Sequence, residues 1–427
     1  MHQWQAYINL VQSQVVPALG CTEPVTVALA SAKARQILGA TPDNLKVKVT
    51  PNLYKNGMGV MVPGTGKAGL AIAAAAGACA GNADKGLEVL ADISSAALAE
   101  ANQMLVQKRV KIEMISHPDV LYTVVQAGLG ESLVEVCIAQ SHTHFEYIEV
   151  NGQRSPQVTD NACGEHLAVP PLPLLTLSEI YTFVTQVPLN QIIFIKRAAE
   201  LNRALASIGM TGEYGLALGA SLQQQITQGL LSDDLMGRAM RLGAAASDAR
   251  MGGAPHAAMS NSGSGNQGIA ATMPIIAFAE LRQLSDEQFT RALMLSHLVA
   301  IYVKSKQNKL SALCAATTAS MGAAAGLTWL LGGDLAAIHR AINAMVGDIS
   351  GVFCDGAKAG CAMKVSTGAG SAVKSAILAV SGNTVSAQQG IVFDSADDSI
   401  QQLGFLSKTA MLPTDEAIIA TMQHKQF

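Results

Sequence analysis

From residue 176 to the C-terminus, the sequence is typical of a long series of Ala-rich helices separated by glycines. Hydrophobic residues make up 49% of the chain and charged residues only 14%, so most of these helices must bury more than one face. Aromatic residues are only 4%, which favours close packing of helix backbones at small residues. The sequence therefore predicts an all-helical domain at 176–427. Part of its apolar surface is expected to lie between subunits of a homo-oligomer.

The N-terminal part has a different pattern, in which apolar residues alternate. Within residues 41–155, a strand is predicted at 44–50 and helices at 67–82 and 86–105. An antiparallel meander of strands at 108–116, 120–128, 132–140 and 143–151 is predicted to follow. The predicted fold class is therefore α+β, with a mainly helical catalytic domain and a smaller antiparallel α/β sandwich domain.

Two further segments complete the predicted domain organisation. Helices within 1–40 are expected to pack on the helical domain. The proline-rich segment 156–175 is expected to be a linker.

Charge and cysteine content exclude several classes of partner. The net charge of −3 offers no basic surface for nucleic acid or for an anionic membrane. No secretory signal is visible, and no apolar run reaches the roughly 20 residues of a membrane helix. An odd number of cysteines, seven, is typical of reduced thiols in the cytoplasm. We therefore expect a cytoplasmic protein with a small-molecule partner.

Two cysteines, Cys354 and Cys361, lie seven residues apart among small residues. On a helix, this spacing would put both thiols on one face. If Gly356 and Gly360 break the helix, the same stretch would form a tight cradle. Either form presents two thiolates to one metal centre. The alternative is a pair of buried free cysteines that act as small hydrophobic residues.

Cys314 adds a third thiol to the same half of the chain. No C-x-x-C pair occurs, which argues against an electron-transfer cluster or a zinc ribbon. Three thiolates around an iron–sulfur cluster would leave one iron open as a Lewis acid. This pattern predicts metal-assisted lysis or hydration. A non-enzymatic metal or redox sensor, with Cys354 and Cys361 as its switch, is an alternative.

Two stretches rich in glycine are predicted to bind ligand. Residues 251–268 interrupt the helices with Gly, Ser and Asn, a composition that exposes hydrogen-bond donors. The candidate substrate-binding residues there are Ser262, Gly263, Ser264, Gly265, Asn266 and Gln267. The turns at 51–59 add Asn52, Lys55 and Asn56. The alternatives are a flexible connector and ordinary turns.

Cys21 immediately precedes Thr22-Glu23-Pro24, which is predicted to start a helix with Thr22 as its cap. A helix N-terminus favours a thiolate, so Cys21 is a candidate reactive residue rather than a space-filling one. His297 is predicted to be a core or surface histidine, with the role of catalytic base as the alternative.

Four motifs together resemble a known family. They are Ala-Leu-Gly-Cys-Thr-Glu-Pro at 18–24, Tyr-Lys-Asn-Gly-Met-Gly-Val at 54–60, Ser-Gly-Ser-Gly-Asn-Gln-Gly at 262–268 and Cys-Asp-Gly-Ala-Lys-Ala-Gly-Cys-Ala-Met-Lys at 354–364. Together they resemble the L-cysteine desulfidase family, which is related to the alpha part of iron–sulfur L-serine dehydratases. The resemblance implies an oxygen-sensitive 4Fe–4S cluster. It also implies conversion of L-cysteine to pyruvate, ammonia and sulfide, with L-serine as the nearest alternative substrate.

The resemblance implies two different sets of cluster ligands. The desulfidase motifs place them at Cys21, Cys314 and Cys354, whereas the dehydratase relatives place them at Cys314, Cys354 and Cys361. We prefer the second set, because its members cluster in sequence and leave Cys21 free near a helix start.

The mechanism expected from this assignment is an elimination. Residues 262–268, called the Gly-Ser loop below, would hold the carboxylate and ammonium of the substrate together with Asn52, Lys55 and Asn56. The open iron would hold its sulfur. The candidate bases for the Cα proton are, in order, Cys21, His297 and Lys358. A pyridoxal-phosphate enzyme is the rival class, but no lysine lies between Lys196 and Lys304 to form its Schiff base. No pyridoxal phosphate is therefore expected.

Overall fold

The structure is a computed structural model that describes residues 2–156 and 175–424. It confirms the α+β class, because a six-stranded sheet with its helices occupies the N-terminal part and helices form nearly all of the rest. The predicted linker at 156–175 lies almost wholly outside the described residues, as does Cys163. Among the helices described, none is both long enough and apolar enough to cross a membrane.

The N-terminal part alternates helices and strands and contains one 3-10 helix, at Ala83–Glu88. Its helices and strands are, in chain order, α1 (His2–Gln14), β1 (Pro17–Leu19), α2 (Thr22–Leu38), β2 (Asn44–Val49), α3 (Pro51–Gly57), β3 (Met61–Val62), β4 (Lys67–Ala68), α4 (Leu70–Ala80), α5 (Ser95–Val106), β5 (Val110–Met114), β6 (Tyr122–Leu129), β7 (Ser132–Ala139), β8 (Phe145–Val150) and β9 (Gln153–Pro156).

The six-stranded sheet is mixed, so the prediction of a purely antiparallel meander is wrong at one edge. Its strand order is β5-β2-β6-β7-β8-β9, with β2 antiparallel to β6 and parallel to β5. The strand predicted at 108–116 therefore does not neighbour the one predicted at 120–128. The chain passes from β2 to β5 through three helices, and a long crossover of this kind is what parallel pairing requires.

The helices α2 and α4 pack with the sheet into one hydrophobic core. Gly77 lets α4 approach α2, since a Cβ at Gly77 would lie 2.2 Å from the carbonyl oxygen of Ala28. By contrast, Tyr7 and Val11 of α1 are buried in the core of the helical part. The segment 1–40 is thus divided between the two cores instead of packing wholly on the helical domain.

The second part consists of helices, with one short strand and a 3-10 turn at Ile193–Ile195. Its remaining elements are α6 (Leu177–Gln186), α7 (Leu189–Ile192), α8 (Lys196–Gly209), α9 (Leu218–Thr227), α10 (Leu235–Met251), β10 (Ala257–Met259), α11 (Gly265–Leu281), α12 (Asp286–Ser305), α13 (Ala315–Leu330), α14 (Leu335–Ile349), α15 (Cys361–Val380), α16 (Ala396–Lys408) and α17 (Leu412–Gln423).

Small residues set the distances between these helices, as the composition predicts. A Cβ at Gly209 of α8 would lie 1.8 Å from the carbonyl oxygen of Ala245 in α10. A Cβ at Gly322 of α13 would lie 2.0 Å from the carbonyl oxygen of Ser296 in α12. The backbones therefore meet directly, so small residues fill the space between helices in a core with few aromatic residues.

Two stretches that we predicted to be non-helical contain helix. Residues 51–57 form α3, with Pro51 in the first turn, where its missing N–H costs nothing. Within 251–268, α11 begins at Gly265, so its first turn uses residues with poor helix propensity. Gly268 explains this start, because only a residue without a side chain fits against the carbonyl of Met259, 1.9 Å from the position of a Cβ.

A short pair of strands joins the two parts. β1 runs antiparallel to β10, and both the N–H and the hydroxyl of Ser260 donate to the carbonyl of Val16, at 2.9 Å and 2.6 Å. Cys21 follows β1 and the Gly-Ser loop follows β10. The pairing therefore brings two distant sequence motifs to one place.

Candidate active site

Backbone hydrogen bonds hold Cys314 and Cys354 on adjacent stretches of chain. The N–H of Cys314 donates to the carbonyl of Val352 at 2.9 Å, and the N–H of Cys354 donates to the carbonyl of Ala312 at 2.6 Å. Cys314 is the N-cap of α13, while Cys354 lies in the loop 350–360 before α15. The glycines thus break the helix between Cys354 and Cys361, which is the cradle form of this stretch.

Cys361 opens α15 and completes the group of three thiols. Gly356, with φ of +92°, lets the preceding loop fold against α3, since a Cβ there would lie 2.5 Å from the carbonyl oxygen of Lys55. Cys361 also packs against a small cluster that contains Cys21 and Met251. All four candidate cysteines therefore lie in one region of the molecule.

The three C-terminal thiols interact electrostatically. Burial raises the pKa of Cys361 to about 12, and charge on Cys354 and Cys314 adds to the shift. Burial and Cys314 likewise raise the pKa of Cys354, although Lys55 opposes this. Ionising one thiol thus disfavours ionising the next, and a bound cation would remove that penalty.

This set of donors fits an iron–sulfur cluster better than a single metal ion. In the described part of the chain, no three His, Cys, Asp or Glu side chains lie close enough together to bind one ion. A cluster places each thiolate on a different iron atom, so its ligands stand farther apart. Cys314, Cys354 and Cys361 are soft donors in one region, the type of ligand that an iron–sulfur cluster takes.

Lys304 is a buried cation beside these thiols. It lies near the end of α12, and its ammonium donates to the carbonyl of Asn308 at 2.6 Å. Burial lowers the pKa of Lys304 to about 8, while the charges of Cys354, Cys314 and Glu23 oppose that shift. The ammonium is therefore within electrostatic range of Cys354, Cys314 and Glu23.

Cys21 is the N-cap residue of α2 and belongs to a buried polar network around Glu23. The prediction that Thr22 caps this helix is wrong by one residue, since α2 begins at Thr22 itself. The thiol of Cys21 donates to one oxygen of Glu23 at 2.9 Å, and the amide of Asn56 donates to the other at 2.9 Å. Two of the sequence motifs, 18–24 and 54–60, thus meet at this carboxylate.

The expectation that the helix N-terminus lowers the pKa of Cys21 is wrong. Burial raises the pKa of Cys21 well above its usual value, and the adjacent Glu23 charge raises it further. Burial also acts to raise the pKa of Glu23, but His142 and the hydrogen bonds from Cys21 and Asn56 outweigh it, so the net shift is downward. Cys21 is therefore a neutral thiol in the resting site, and it donates its hydrogen bond to the ionised carboxylate of Glu23.

Of the three residues predicted on the 51–59 stretch, only the amides retain unused hydrogen-bonding capacity. The Oδ1 atoms of Asn52 and Asn56 have no partner among the described residues. Lys55 is fully buried, and its ammonium binds Asp415 at 2.5 Å and the carbonyl of Cys354 at 3.1 Å. Through these contacts Lys55 supports the loop 350–360, which carries Cys354 and is called the cysteine loop below.

The Gly-Ser loop reaches the same region. Asn266 and Gln267 are buried in the first turn of α11, and the Oε1 of Gln267 has no partner among the residues described. Gly263 lies against the ring of His142, where a Cβ would stand 3.1 Å from its Cδ2. His142 in turn bonds the hydroxyl of Thr26 in α2 through Nδ1, at 2.9 Å. Ser262, Ser264 and Gly265 form the backbone of this turn.

The two remaining candidate bases are engaged elsewhere. His297 is fully buried, with its ring nitrogens 3.2 Å from the amide of Asn261 and 3.1 Å from the hydroxyl of Thr272. It therefore supports the strand end that carries the Gly-Ser loop. Lys358 is half-exposed and ion-paired with Asp355, on the outer side of the cysteine loop.

Sequence reasoning missed four functional candidates at this site. They are Glu23, His142, Arg250 and Lys304. Glu23 belongs to the motif at 18–24, where its position indicates only the first turn of a helix. A single lysine at the end of an apolar helix was the available signal for Lys304. For His142 the local signal was a second histidine two residues further on, His144, which is more typical of a solvent-facing sheet edge. Arg250 carried no local signal, because only the pairing of distant segments brings it to the site.

Comparison with known proteins shows to which family the chain belongs. Residues 84–420 match the family model of the serine dehydratase alpha chain. The chain is 52% identical over 426 residues to a UPF0597 protein of Aeromonas hydrophila, covering 99% of this chain and 97% of that protein. It is 52% identical over 423 residues to a UPF0597 protein of Photobacterium profundum, covering 99% of both chains. A UPF0597 protein of Shewanella halifaxensis is 50% identical over 438 residues.

The family match covers most of the chain, including all three C-terminal cysteines and the Gly-Ser loop. An iron–sulfur cluster and amino-acid lyase chemistry are what this relationship suggests. The chain belongs to the serine dehydratase alpha chain family.

Proposed function

We propose that this protein is an L-cysteine desulfidase, which eliminates sulfide from L-cysteine to yield pyruvate and ammonia. The observation that carries the proposal is the meeting of three thiols with buried polar groups that lack partners. Cys314, Cys354 and Cys361 would hold a 4Fe–4S cluster. When bound, a cluster with three protein ligands supplies an open iron, a Lewis acid for the leaving sulfur.

The surrounding amides would bind and orient the amino acid. The free Oδ1 of Asn56 and the free Oε1 of Gln267 are buried acceptors suited to an ammonium group. An acceptor left without a partner is costly to bury, so a bound ammonium would restore its lost hydrogen bond. Lys55 and His297 act as positioning residues, because their polar atoms are already bonded to the loops they support.

Removal of the Cα proton falls to Cys21, with Glu23 as its partner. Glu23 accepts the thiol proton along the 2.9 Å hydrogen bond, and the thiolate then takes the proton from Cα. The electrons of the C–H bond form the Cα–Cβ double bond while the C–S bond breaks. The aminoacrylate that leaves hydrolyses in water to pyruvate and ammonia.

L-serine is the second candidate substrate, and the name of the matched family favours it. The same base and the same ligand groups would serve an elimination in which hydroxide leaves instead of sulfide. The two substrates differ only in the leaving atom, which is a soft sulfur in L-cysteine and a hard oxygen in L-serine. The preference of the Lewis acid for one of these atoms would therefore decide the substrate.

The test is anaerobic purification followed by iron and sulfide analysis and by two parallel assays. We expect sulfide release from L-cysteine at a higher kcat/KM than pyruvate release from L-serine. A preference for L-serine would convert the proposal to a serine dehydratase. No turnover of either substrate by iron-loaded protein would refute both, and an absorption band of an aldimine would identify a pyridoxal-phosphate enzyme.

A further inference from the structure

Arg250 is a buried cation that has no anionic partner within residues 2–156 and 175–424. It is 3% exposed, at the last turn of α10, and its Nε has no hydrogen-bond partner among the described residues. Its one hydrogen bond in that part of the chain runs from Nη1 to the sulfur of Met251, at 3.3 Å. Burying a guanidinium without a counter-charge is strongly unfavourable, so the site calls for an anion.

The two other arginines that are buried in the described part of the chain are paired, in contrast to Arg250. Arg241, on the same helix, forms an ion pair with Asp233 at 3.3 Å. Arg291 forms one with Glu287 at 2.8 Å. The fold therefore neutralises buried guanidinium groups elsewhere and leaves this one open.

The guanidinium lies against the first turn of α11. A Cβ at Gly265 would stand 2.2 Å from the Nε of Arg250, so the glycine makes room for that group. The first N–H groups of a helix have no partner within the helix and favour an anion. Two independent sources of positive charge thus converge, and α11, at 17 residues, has a full helix dipole.

The same guanidinium lies close to the proposed reaction centre. Its Nη1 donates to the sulfur of Met251, and Met251 packs in one cluster with Cys21 and Cys361. Gly265, which makes room for the guanidinium, and Gly263, which lies against the ring of His142, belong to the same loop. Glu23, bonded to Cys21, is already occupied by hydrogen bonds from Cys21, Thr22 and Asn56 and forms no ion pair with Arg250 in the part of the chain described.

We propose that Arg250 binds the α-carboxylate of the amino-acid substrate, with the N–H groups at the start of α11 as its second contact. The ammonium of the same substrate then reaches the amide oxygens of Gln267 and Asn56. This subsite rests on the proposed function and deepens it. It assigns the carboxylate to a residue outside the Gly-Ser loop and gives the site its selectivity for α-amino acids.

The experiment compares two probes on the anaerobically reconstituted, full-length protein. L-alanine carries the carboxylate and ammonium of the substrate without a leaving group, whereas L-alaninamide lacks the carboxylate charge. Equilibrium binding is measured by calorimetry for wild type, Arg250→Gln, Arg250→Lys and the matched control Arg241→Gln. Far-UV circular dichroism establishes that each variant is folded.

Wild type should prefer L-alanine to L-alaninamide, and Arg250→Gln should lose about 10- to 100-fold in affinity for L-alanine, the usual effect of losing a hydrogen bond to a charged group. Its affinity for L-alaninamide should hardly change. Arg250→Lys should fall between, because the charge stays but the paired N–H geometry is lost. Arg241→Gln should bind both probes as wild type does.

Equal affinity of Arg250→Gln and wild type for L-alanine would overturn the proposal, as would a wild type that does not distinguish the two probes. If Arg250→Gln fails to fold, Arg250→Lys and the wild-type preference decide the outcome. A wild type that binds L-alanine through Arg250 but turns over neither L-cysteine nor L-serine would keep the subsite and refute the lyase. An active lyase whose Arg250→Gln variant binds L-alanine as tightly as wild type would support the lyase and refute the subsite.

Discussion

At the scale of single residues, Glu23 organises the proton chemistry. Both of its carboxylate oxygens are held by donors at 2.9 Å, the thiol of Cys21 and the amide of Asn56. The carboxylate therefore fixes the direction in which the sulfur of Cys21 points. Cys21 also packs near Cys361, so its position alone is compatible with a base or with a cluster ligand.

The substitution Cys21→Ala separates these two roles. As a base, Cys21 is expected to contribute about 10²- to 10⁴-fold to turnover, the usual range for a positioned proton acceptor. We therefore expect Cys21→Ala to lose activity by that factor while it keeps its iron and its visible spectrum. Cys361→Ala, measured alongside, should lose iron as well as activity.

Cys79→Ala is the matched control, because Cys79 is a buried cysteine of the sheet core whose sulfur faces Met104. It should retain both iron and activity. Iron lost in Cys21→Ala but kept in Cys361→Ala would reverse the assignment and make Cys21 the third ligand.

The burial of His297 makes the stability of the protein depend on pH. Burial lowers its pKa to about 3, so between that value and about 6.5 the unfolded chain binds a proton that the folded chain does not. Stability must then decrease as the pH falls, by about 1.4 kcal/mol per unit for each such histidine. In urea titrations at pH 7, 6 and 5, His297→Gln should show a shallower decrease than wild type.

The comparison variant is His256→Gln, at an exposed histidine, which should keep the slope of the wild type. A slope for His297→Gln as steep as that of wild type would show that the buried ring takes up its proton in the folded state.

At the scale of elements, α17 secures α3 and the cysteine loop. Asp415 of α17 pairs with the fully buried Lys55 of α3 at 2.5 Å, and Lys55 also binds the carbonyl of Cys354. Removing one member of a buried ion pair strands the other, which costs about 3–5 kcal/mol. Asp415→Ala should therefore reduce the free energy of unfolding by that amount and decrease iron retention.

The neighbouring Glu416 is exposed and provides the control. Glu416→Ala should stay within about 0.5 kcal/mol of wild type. The double variant Lys55→Met/Asp415→Leu should regain most of the stability, since an apolar pair leaves no stranded charge. An Asp415→Ala variant as stable as wild type would mean that this ion pair does not hold the loop.

At the scale of the whole molecule, α1 ties the N-terminus to the helical core. Tyr7 is 2% exposed and stacks on Phe183 of α6 with ring centroids 4.9 Å apart. The chain that follows α1 is β1, the partner of β10. Tyr7→Ala should cost about 3–5 kcal/mol, as large-to-small changes of buried aromatic residues do.

Because α1 leads directly into β1, the same variant should also loosen the Gly-Ser loop and raise KM. Tyr7→Phe, which keeps the ring contact, should lose far less stability in the same urea titration. If Tyr7→Ala lowers stability but leaves KM unchanged, the packing of α1 does not influence the Gly-Ser loop.

Local sequence patterns were sufficient to predict the class of the fold and the types of side chain at the candidate site. The repeated Ala-rich helices, the alternation of the N-terminal strands and the breaks at glycine are local patterns, which depend on residues a few positions apart. Asp334 is one example, since it is a residue type typical of a helix N-cap and its side chain accepts from the N–H of Ala337 at the start of α14. The three C-terminal cysteines and the Gly-Ser loop were also visible, because their residue types are informative without neighbours.

Features that depend on contacts between distant residues could not be predicted from local patterns and became visible only in the fold. The place of β2 between β5 and β6 follows from a long crossover, and the contact of Lys55 with Asp415 spans 360 residues of sequence. Burial reversed the expected pKa shift of Cys21, because desolvation outweighs the helix dipole. Arg250 had no local signal at all. Its importance lies in the absence of a counter-charge around it in the described structure, and the surroundings of a buried charge are set by the fold.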